Sequence, residues 1–305
     1  MNDDILVRML ARTVRFLLPI LVLAALLAAL VAIPGATAQR RPTAPKSVRL
    51  YVFDCGNIKG VGAANFGFKD GELATTEMVT PCFLIAHPRG TLMWDVGEIS
   101  DSAFKGDGAP ATQGSFTVTK PLLPQLAAVG YTPADITYLA LSHYHGDHVA
   151  NANVFAGSTW LVQDVERAAM FAAPDAGTKK GPATPNRALF SALENSKTVL
   201  LKSRDHDVFG DGTVVIKFTP GHTPGHQSLF LKLAKTGPVL LSGDLYHYPE
   251  ELTLHRIPNF DFDKDQTAKS RAATEAFVKS AGAKLWIQHD AAAGAKLKKA
   301  PEYYE

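Results

Sequence analysis

Residues 142–151, SHYHGDHVAN, contain three histidines and one aspartate within six consecutive positions. Each imidazole and carboxylate brings polar atoms that need partners, so a cluster of this kind is costly in an apolar core. Neighbouring imidazoles would repel one another if charged and would compete for hydrogen bonds if neutral. A bound cation removes both difficulties, and the stretch therefore predicts a metal site.

Four apolar, strand-like segments each lead into a side chain that can bind a metal. ITYLALS leads into His143, TVVIKFTPG into His222, PVLLSG into Asp244 and KLWIQ into His289. The carboxyl ends of strands in α/β folds converge on a shared crevice, so loops that are distant in sequence can contribute to one site. We expect these residues to lie close together.

The spacing within the histidine cluster suits two ions. His143 and His145 are two residues apart, so an extended backbone directs both side chains to the same side. Gly146 lets the chain turn, and Asp147 and His148 follow where a helix would start. The first pair with a distant histidine makes one site, and the second pair with another distant histidine makes a neighbouring site.

Asp244 has two carboxylate oxygens and can therefore span two adjacent ions. A ligand set of imidazole and carboxylate without thiolate suits zinc best, with iron, manganese or cobalt as alternatives. We predict two divalent metal ions as cofactors.

The segments that must position these residues alternate between strand-like and helical patterns. Nine short runs rich in β-branched or aromatic residues, such as RLYVFD, CFLIAH and TWLVQ, are bounded by Gly, Pro or Asp. Two helical stretches, PLLPQLAAVG and QTAKSRAATEAFVKSAG, each end in a glycine suited to the position after a helix. No repeat or composition break interrupts residues 47–305, so we predict one layered α/β domain there.

The composition indicates a globular protein and argues against nucleic-acid binding. Apolar residues make up 46% of the 305 residues and charged residues 20%, so a sizeable core is available. The formal net charge is only +2, and no basic stripe with interleaved aromatic residues crosses the middle of the chain. We therefore expect no nucleic-acid partner.

The first residues resemble a targeting segment. Three arginines precede an uninterrupted apolar run, FLLPILVLAALLAALVAI, at residues 16–33, and ATA at residues 36–38 has the small residues that signal peptidase requires. We predict a signal peptide over residues 1–38 and an Arg/Pro-rich linker over residues 39–46. The mature protein would be periplasmic or secreted, without a membrane partner. The alternative is an uncleaved membrane anchor, because the run is long enough to span a bilayer.

The two cysteines, Cys55 and Cys82, belong to no CxxC or CxxH pattern, so a cysteine metal site is disfavoured. Cys55 ends the run VRLYVFDC, and Cys82 begins the run CFLIAH. A disulfide would form if these runs pair as antiparallel strands. The alternative is that both are small buried hydrophobic residues.

The combined motifs H-x-H-x-D-H, GHTPGHQS, LSGD and IQHD resemble the metallo-β-lactamase superfamily over nearly all of the chain after the linker. The resemblance implies an αββα sandwich with a binuclear metal site along one edge. It also implies the ligands of each ion, which are His143, His145 and His222 for one, Asp147, His148 and His289 for the other, and Asp244 as the bridge.

Within that superfamily, the sequence is most similar to the N-acyl-homoserine lactonases, which open the lactone ring of bacterial signal molecules. The similarity rests on LYVFDCGNIKG, TPCFLIAHPRGTLMWDVGE, GYTPADITYLALSHYHGDHVAN and KAPEYYE. Such lactonases usually carry a catalytic tyrosine three residues after the bridging aspartate. Here that position is His247, flanked by Tyr246 and Tyr248.

The resemblance implies a metal-dependent hydrolase that opens a small-molecule lactone by attack of a metal-bound hydroxide. Asp244 is the candidate proton carrier, and Tyr246 or His247 is the candidate donor to the substrate carbonyl. Aromatic packing near the site is the alternative role for these last two residues. Other substrates of the fold, namely a β-lactam, a thioester or a phosphodiester, stay open, as does a metal-binding protein without turnover. The bridging Asp244 argues against the β-lactam, because lactamases of this superfamily generally lack it.

Several other residues are candidates for support of the site. His226 lies four residues after His222 and is expected to brace that loop by hydrogen bonds. Asp54 and Asp95 close early strands, where they either hold ligand loops or serve only as turn residues. The stretch from Gly56 to Met78, which includes GAANFGF, is expected either to wall a pocket for an acyl chain or to cover the sandwich as a surface loop.

Overall fold

The computed structural model describes residues 42–172 and 185–305. The predicted signal peptide, residues 1–38, and residues 39–41 of the predicted linker lie outside the described residues. Residues 42–46 contain no helix or strand, and the first strand begins at Arg49. Within the described ranges, no helix is both long enough and apolar enough to cross a membrane.

Fourteen strands run through the described part of the chain. They are β1 (Arg49–Ile58), β2 (Met78–His87), β3 (Gly90–Trp94), β4 (Ala111–Gln113), β5 (Phe116–Val118), β6 (Tyr138–Ala140), β7 (Thr159–Val162), β8 (Thr198–Leu200), β9 (His206–Asp207), β10 (Val214–Phe218), β11 (Gln227–Leu233), β12 (Gly237–Leu241), β13 (Lys284–Trp286) and β14 (Tyr303–Tyr304).

The strands form two mixed sheets. The larger has the order β4-β5-β1-β2-β3-β6-β7-β8, with β14 paired to β1, and the smaller has the order β13-β12-β11-β10-β9. Parallel pairing joins β3, β6, β7 and β8 in the larger sheet and joins β12 to β13 in the smaller one. Strands β10, β12 and β13 therefore point in the same direction, because β11 is antiparallel to both β10 and β12.

Helices connect and cover these sheets. The described α-helices are α1 (Leu122–Ala128), α2 (Gly146–Val149), α3 (Asp164–Met170), α4 (Glu250–Leu254), α5 (Lys264–Ala281) and α6 (Ala291–Gly294). Short 3-10 turns span Ala63–Phe66, Asp101–Ala103, Pro133–Asp135, Ala152–Phe155, Arg187–Leu189, Ser191–Asn195 and Gly243–Leu245.

Strand β2 shows how the larger sheet separates two cores. Phe83 and Ile85 pack into the core between the two sheets, whereas Leu84 and Ala86 pack into a second core on the opposite face. This division follows from the two-residue period of a strand, since every second side chain points to the same face. Leu126 of α1 belongs to the second core, so helices cover the outer face of the larger sheet.

Helix α5 covers the outer face of the smaller sheet. Its first turn is capped by Asp263, whose side chain accepts a hydrogen bond from the Gln266 amide, and Gly282 ends it in the left-handed conformation. Phe277 of this helix packs edge to face on Phe230 of β11, with ring centroids 5.0 Å apart. The layers therefore run helix, sheet, sheet, helix, which confirms the expected αββα sandwich.

A disulfide joins Cys55 and Cys82, with the two Cα atoms 5.8 Å apart. Strands β1 and β2 pair in antiparallel register with Phe53 opposite Cys82, and the register shifts between Asp54 and Asn57. Of the two alternatives left open by the sequence, the structure contains the disulfide. The disulfide covalently links β1 and β2, which both precede the candidate ligands in the chain.

Candidate metal centre

Seven side chains from four separate segments meet at one edge of the sandwich. Their potential ligand atoms form two groups, and within each group all these atoms lie within 4.8 Å of one another. One group is His143, His145, His222 and Asp244, and the other is Asp147, His148, Asp244 and His289. The structure thus brings together all seven residues that the sequence singles out as metal ligands.

Strand direction explains this convergence. His143 follows β6, His222 follows β10, Asp244 follows β12 and His289 follows β13 within a few residues in each case. His145 has an extended backbone and immediately precedes α2, whose first turn contains Asp147. Each ligand therefore lies just beyond the end of a strand or at the start of a helix, where the local backbone fixes its direction.

Asp244 lies between the two groups, and its two oxygens divide between them. Its Oδ1 is 3.0 Å from Nε2 of both His148 and His289. Its Oδ2 is 3.5 Å from Nε2 of His143 and 3.4 Å from Nε2 of His222. This is the arrangement expected of a carboxylate that bridges two cations.

Several buried polar atoms in this cluster have no hydrogen-bond partner. They include Nε2 of His143, His145 and His148 and Oδ1 of Asp244. An unpaired polar atom in a buried position costs on the order of 1–3 kcal/mol, so a set of them at one point needs a compensating ligand. Two divalent cations fit this donor set, and imidazole with carboxylate is typical of zinc.

Two side chains of the cluster hold the protonation state that metal binding requires, whereas the carboxylates that face His148 and His222 outweigh burial and raise the pKa of both imidazoles. Burial, followed by the neighbouring His222, lowers the pKa of the His145 imidazole to about 3. Burial opposes ionisation of Asp244, yet the facing His148 and His289 hold its pKa well below the ordinary carboxyl range. Neutral imidazole and ionised carboxylate are the forms that bind a metal.

Four of the histidines are oriented by hydrogen bonds at their second ring nitrogen. The partners of Nδ1 are Ser142 Oγ for His143 at 3.0 Å, Asp95 Oδ2 for His148 at 3.0 Å, Asp261 Oδ1 for His222 at 2.8 Å and the Val79 carbonyl for His289 at 2.9 Å. Such contacts fix the ring and leave Nε2 directed at the centre of the cluster.

Asp95 holds two parts of the site, as one of the sequence alternatives proposed. Its Oδ1 accepts a hydrogen bond from the Ser142 amide at 2.6 Å, in addition to the contact with His148. Asp54 does not share this role. It lies inside β1, where its backbone amide and carbonyl pair with the side chain of Gln125.

Gln288 links three segments of the site. Its side-chain oxygen accepts hydrogen bonds from the indole of Trp94 at 3.0 Å and from the Gly243 amide at 2.9 Å, and its amide nitrogen donates to Asp95 at 2.9 Å. The residue next to His289 is therefore tied to the residue next to Asp244. Neither Gln288 nor Asp261 was singled out in the sequence, because a lone polar residue beside a motif gives no pattern.

His226 braces the neighbouring loop, as expected. Its Nδ1 lies 2.9 Å from the Thr219 carbonyl, and its Nε2 accepts a hydrogen bond from the Asp244 amide at 2.9 Å. It therefore fixes the backbone of the bridging residue.

The two residues expected to donate a hydrogen bond to the substrate carbonyl, Tyr246 and His247, lie in different places. The Tyr246 hydroxyl donates to Glu275 of α5 at 2.7 Å, and its ring is fully buried under the Arg271 guanidinium. This placement contradicts the expectation for Tyr246 as a donor in the site. The backbone at Tyr246 is extended, with φ of −141° and ψ of 139°, so successive side chains point to opposite sides.

His247, the next residue, points into the site instead. Its Nε2 lies 3.1 Å from Asp244 Oδ2, and its Nδ1 faces Glu251 at 3.4 Å. Burial lowers the pKa of His247, but Asp244 and Glu251 outweigh this effect and raise the pKa to about 10. Glu251 is itself paired with Arg271 of α5, which completes a buried chain of alternating charge.

A cleft of about 600 Å³ opens onto the cluster. One part of its lining, the ligand floor, consists of His145, Gly146, Asp147, Asp244, His247 and His289. Another part, the apolar wall, consists of Ile58, Val61, Phe66, Met78, Phe116 and Phe260. Four of the six wall residues come from the stretch between Gly56 and Met78, so this stretch lines the cleft, in agreement with the first of its two expected roles.

Comparison with known proteins gives a consistent result. Residues 75–289 match the model of the metallo-beta-lactamase superfamily. The chain is 32% identical to the N-acyl homoserine lactonase AttM of Azorhizobium caulinodans over 267 residues, which is 85% of this chain and 99% of that one. It is also 32% identical to the AttM lactonase of Agrobacterium fabrum over 84% of this chain and 98% of that one.

Solved structures agree with the sequence comparison. The structure of an N-acyl homoserine lactone hydrolase with the product N-hexanoyl-L-homoserine at its catalytic metal centre superimposes with a TM-score of 0.67 and 25% identity. The match covers 84% of this chain and 99% of that one.

Proposed function

The chain belongs to the metallo-beta-lactamase superfamily, and from that premise we propose that this hydrolase opens the ring of an N-acyl homoserine lactone. One observation carries the proposal: the ligand floor and the apolar wall line the same cleft. An N-acyl homoserine lactone has the matching shape, since a polar ester ring is joined to an apolar tail.

We propose that two zinc ions occupy the floor. His143, His145 and His222 would hold one ion, Asp147, His148 and His289 would hold the other, and Asp244 would contribute to both. The division of the Asp244 oxygens and the unpartnered nitrogen atoms support this assignment. When bound, two such ions activate a water molecule as nucleophile and polarise the ester carbonyl.

The protein groups then handle the proton and the developing charge. Asp244 accepts the proton of the attacking water and returns it to the ring oxygen that leaves. His247 takes the donor role, because its ring lines the cleft and its Nε2 lies beside Asp244 Oδ2. Glu251 keeps the His247 ring in this orientation from the opposite side.

The apolar wall binds the acyl tail. Each methylene group buried there contributes about 0.8 kcal/mol to binding. Longer acyl chains should therefore lower KM until the cleft is filled. The same wall offers little to a charged phosphodiester, whose burial would leave its charge without a partner.

The proposal is tested with a substrate panel on metal-loaded protein. Proton release is followed for acyl homoserine lactones of increasing chain length, a β-lactam, a thioester and a phosphodiester. We expect hydrolysis of the lactones, with KM falling as the chain lengthens. The matched control is Asp211→Ala, which removes a carboxylate paired with His87 and leaves the candidate ligands intact.

Two outcomes would contradict the proposal. Turnover of another substrate class without any lactone hydrolysis would show that the protein is a hydrolase but not a lactonase. No turnover at all by protein that holds two ions per chain would indicate a metal-binding protein instead.

We also propose that the protein is exported and cleaved before Gln39. The disulfide between Cys55 and Cys82 supports this proposal, since disulfides persist in oxidising compartments. Amino-terminal sequencing of protein from the periplasmic fraction should begin at Gln39. An intact leader in the membrane fraction would indicate the anchor instead.

A further inference from the structure

A buried glutamate outside the ligand set connects the two loops that carry the three-histidine group. Glu166 lies in the first turn of α3 and is 3% exposed. Its Oε1 accepts hydrogen bonds from the Tyr144 amide at 3.0 Å and from the Thr223 hydroxyl at 2.9 Å. Its Oε2 accepts a hydrogen bond from the Gly225 amide at 2.7 Å.

Two of these donors immediately flank the ligands, and the third, Gly225, lies three residues after His222. Tyr144 separates His143 from His145, and Thr223 follows His222. One carboxylate thus holds both loops of the His143, His145 and His222 group. At the ligands themselves, His145 Nδ1 and His222 Nε2 lie 3.0 Å apart.

The contact between Glu166 and the second loop leaves no free space. A Cβ atom added at Gly225 would lie 2.5 Å from Cβ of Glu166 and 2.7 Å from its backbone nitrogen. Glycine is therefore required for the loop to reach the helix. The loop position depends on this close approach and on the carboxylate together.

We propose that Glu166 is a positioning residue that sets the spacing of His145 and His222, and hence the affinity of the three-histidine position for its ion. The second position, formed by Asp147, His148 and His289, is bonded instead through Asp95 and the Val79 carbonyl. Glu166 should therefore act on one of the two positions. The inference rests on the proposed pair of metal ions.

Glu166→Gln tests this role with little change of shape. A glutamine has one acceptor oxygen, so its amide group must face either Gly225 or Tyr144, and one backbone donor loses its acceptor. We expect the three-histidine position to bind its ion about 10–100-fold more weakly, as is typical when a group that orients a ligand is replaced. Chelator competition would then remove one ion at a concentration at which the unaltered protein keeps both.

Glu98→Gln is the matched control. Glu98 is also 3% exposed and also accepts three hydrogen bonds, from the Asn57 and Thr117 amides and the Thr80 hydroxyl. None of these donors belongs to the loops of the three-histidine group. Glu98→Gln should therefore leave the affinity of that position unchanged, although both variants lose one acceptor in the interior.

Variants that retain only one of the two metal positions complete the test. In a His289→Ala background, which retains the three-histidine position, Glu166→Gln should weaken binding of cobalt(II), followed by visible absorption. In a His145→Ala background, it should have no effect. If Glu166→Gln fails to fold, Thr223→Val removes one of the three hydrogen bonds and should give a smaller loss at the same position.

Three results would each overturn the inference. Glu166→Gln could weaken metal binding equally at both positions, or could leave metal affinity unchanged. Glu98→Gln could also cause the same loss of affinity as Glu166→Gln. These results differ from failure of the proposed function. Unaltered protein that binds fewer than two ions, or that hydrolyses no lactone, contradicts the proposed function regardless of Glu166.

Discussion

The ligand floor and the apolar wall enclose the same cleft but are held by different forces. Beneath the floor, candidate ligands such as His148 and His222 are fixed by hydrogen bonds to buried carboxylates, with Nδ1 to oxygen distances of 3.0 and 2.8 Å. In the wall, Phe66 is held by ring packing, with its centroid 5.4 Å from Phe260 and 5.1 Å from Tyr248. Directional bonds fix the floor, and non-directional packing shapes the wall.

This difference corresponds to the work of each side. Reacting groups must be held within a fraction of an ångström, because small displacements cost large factors in rate. An acyl tail needs only apolar area and tolerates many contours. We therefore expect substitutions in the floor to change kcat and metal content, and substitutions in the wall to change KM.

His247 lies where the two sides meet. Its ring is parallel to that of His289, with centroids 5.6 Å apart, and it also packs against Phe66 at 4.9 Å. His247 is hydrogen-bonded to Asp244, as a floor residue would be, and it packs against an aromatic ring, as a wall residue would. Substitution of His247 is therefore the most direct way to separate the roles of the floor and the wall.

The largest effect is expected from Asp244→Ala in the floor. Loss of the carboxylate removes the bridge and leaves five imidazoles around a cavity, so activity should fall by more than about 100-fold. Metal content should fall below that of the unaltered protein while circular dichroism stays the same, because the remaining ligands and both sheets are intact. Near-normal activity with a full metal complement would contradict the bridging role.

The next largest effect is expected from His247→Ala, compared with Tyr246→Phe. Removal of His247 should lower kcat about 100-fold, in the range of a lost general acid or donor. Tyr246→Phe should leave kcat and KM unchanged and should cost only about 1 kcal/mol of stability, because its hydroxyl bonds to Glu275 on α5. A greater loss of kcat in Tyr246→Phe would reverse this assignment.

A smaller effect is expected from Phe116→Ala in the wall. This change should raise KM for a decanoyl lactone by up to about tenfold while kcat stays constant. A butanoyl lactone, whose tail is shorter, should be less affected. The control is Phe262→Ala, since Phe262 is 64% exposed and does not line the cleft. A fall in kcat for both lactones would show that the wall also positions the reacting groups.

The smallest effect on activity is expected from Glu98→Gln, which alters the support of the wall. Glu98 joins β1 to β5 beside Phe116, and burial raises its pKa from 4.5 to about 7. The folded protein therefore holds this proton more tightly than the unfolded chain. Its contribution to stability is fully present below pH 4.5 and is lost as the pH rises through about 7.

Glutamine cannot titrate, so the stability of Glu98→Gln relative to the unaltered protein should rise across that pH window. The change should amount to no more than about 3 kcal/mol. Denaturant unfolding of both metal-free proteins at the two ends of the window measures it, and titration of the other groups cancels in the difference. A constant difference between the two proteins would show that folding does not raise the pKa of Glu98.

The candidate metal ligands were predictable from sequence because each one lies in a dense motif or directly after a strand. All nine strand-like segments appear in the structure, since their length and composition are sufficient to identify them. The strands that were not expected, such as β4 and β9, are two or three residues long and show no periodicity. Phe116 lies on one of these short strands, so no sequence pattern indicated that it lines the wall.

The supporting residues could not be predicted for a different reason. Asp261 and Glu166 lie 39 and 57 residues from the partners that they hold, His222 and Thr223. Only the packing of the two sheets brings such pairs together. The sequence left both Tyr246 and His247 open because the choice between them depends on which face of an extended segment points inwards, and adjacent aromatic residues do not reveal this.

The hydrogen bond between Trp94 and Gln288 makes the metal centre optically accessible. The indole is fully buried, and the amide that it touches neighbours His289 and also holds Asp95. Changes in charge at the floor should therefore alter the emission of this tryptophan, even for a spectroscopically silent ion such as zinc. Intrinsic fluorescence would then follow filling of the centre in real time, without a dye or a substrate.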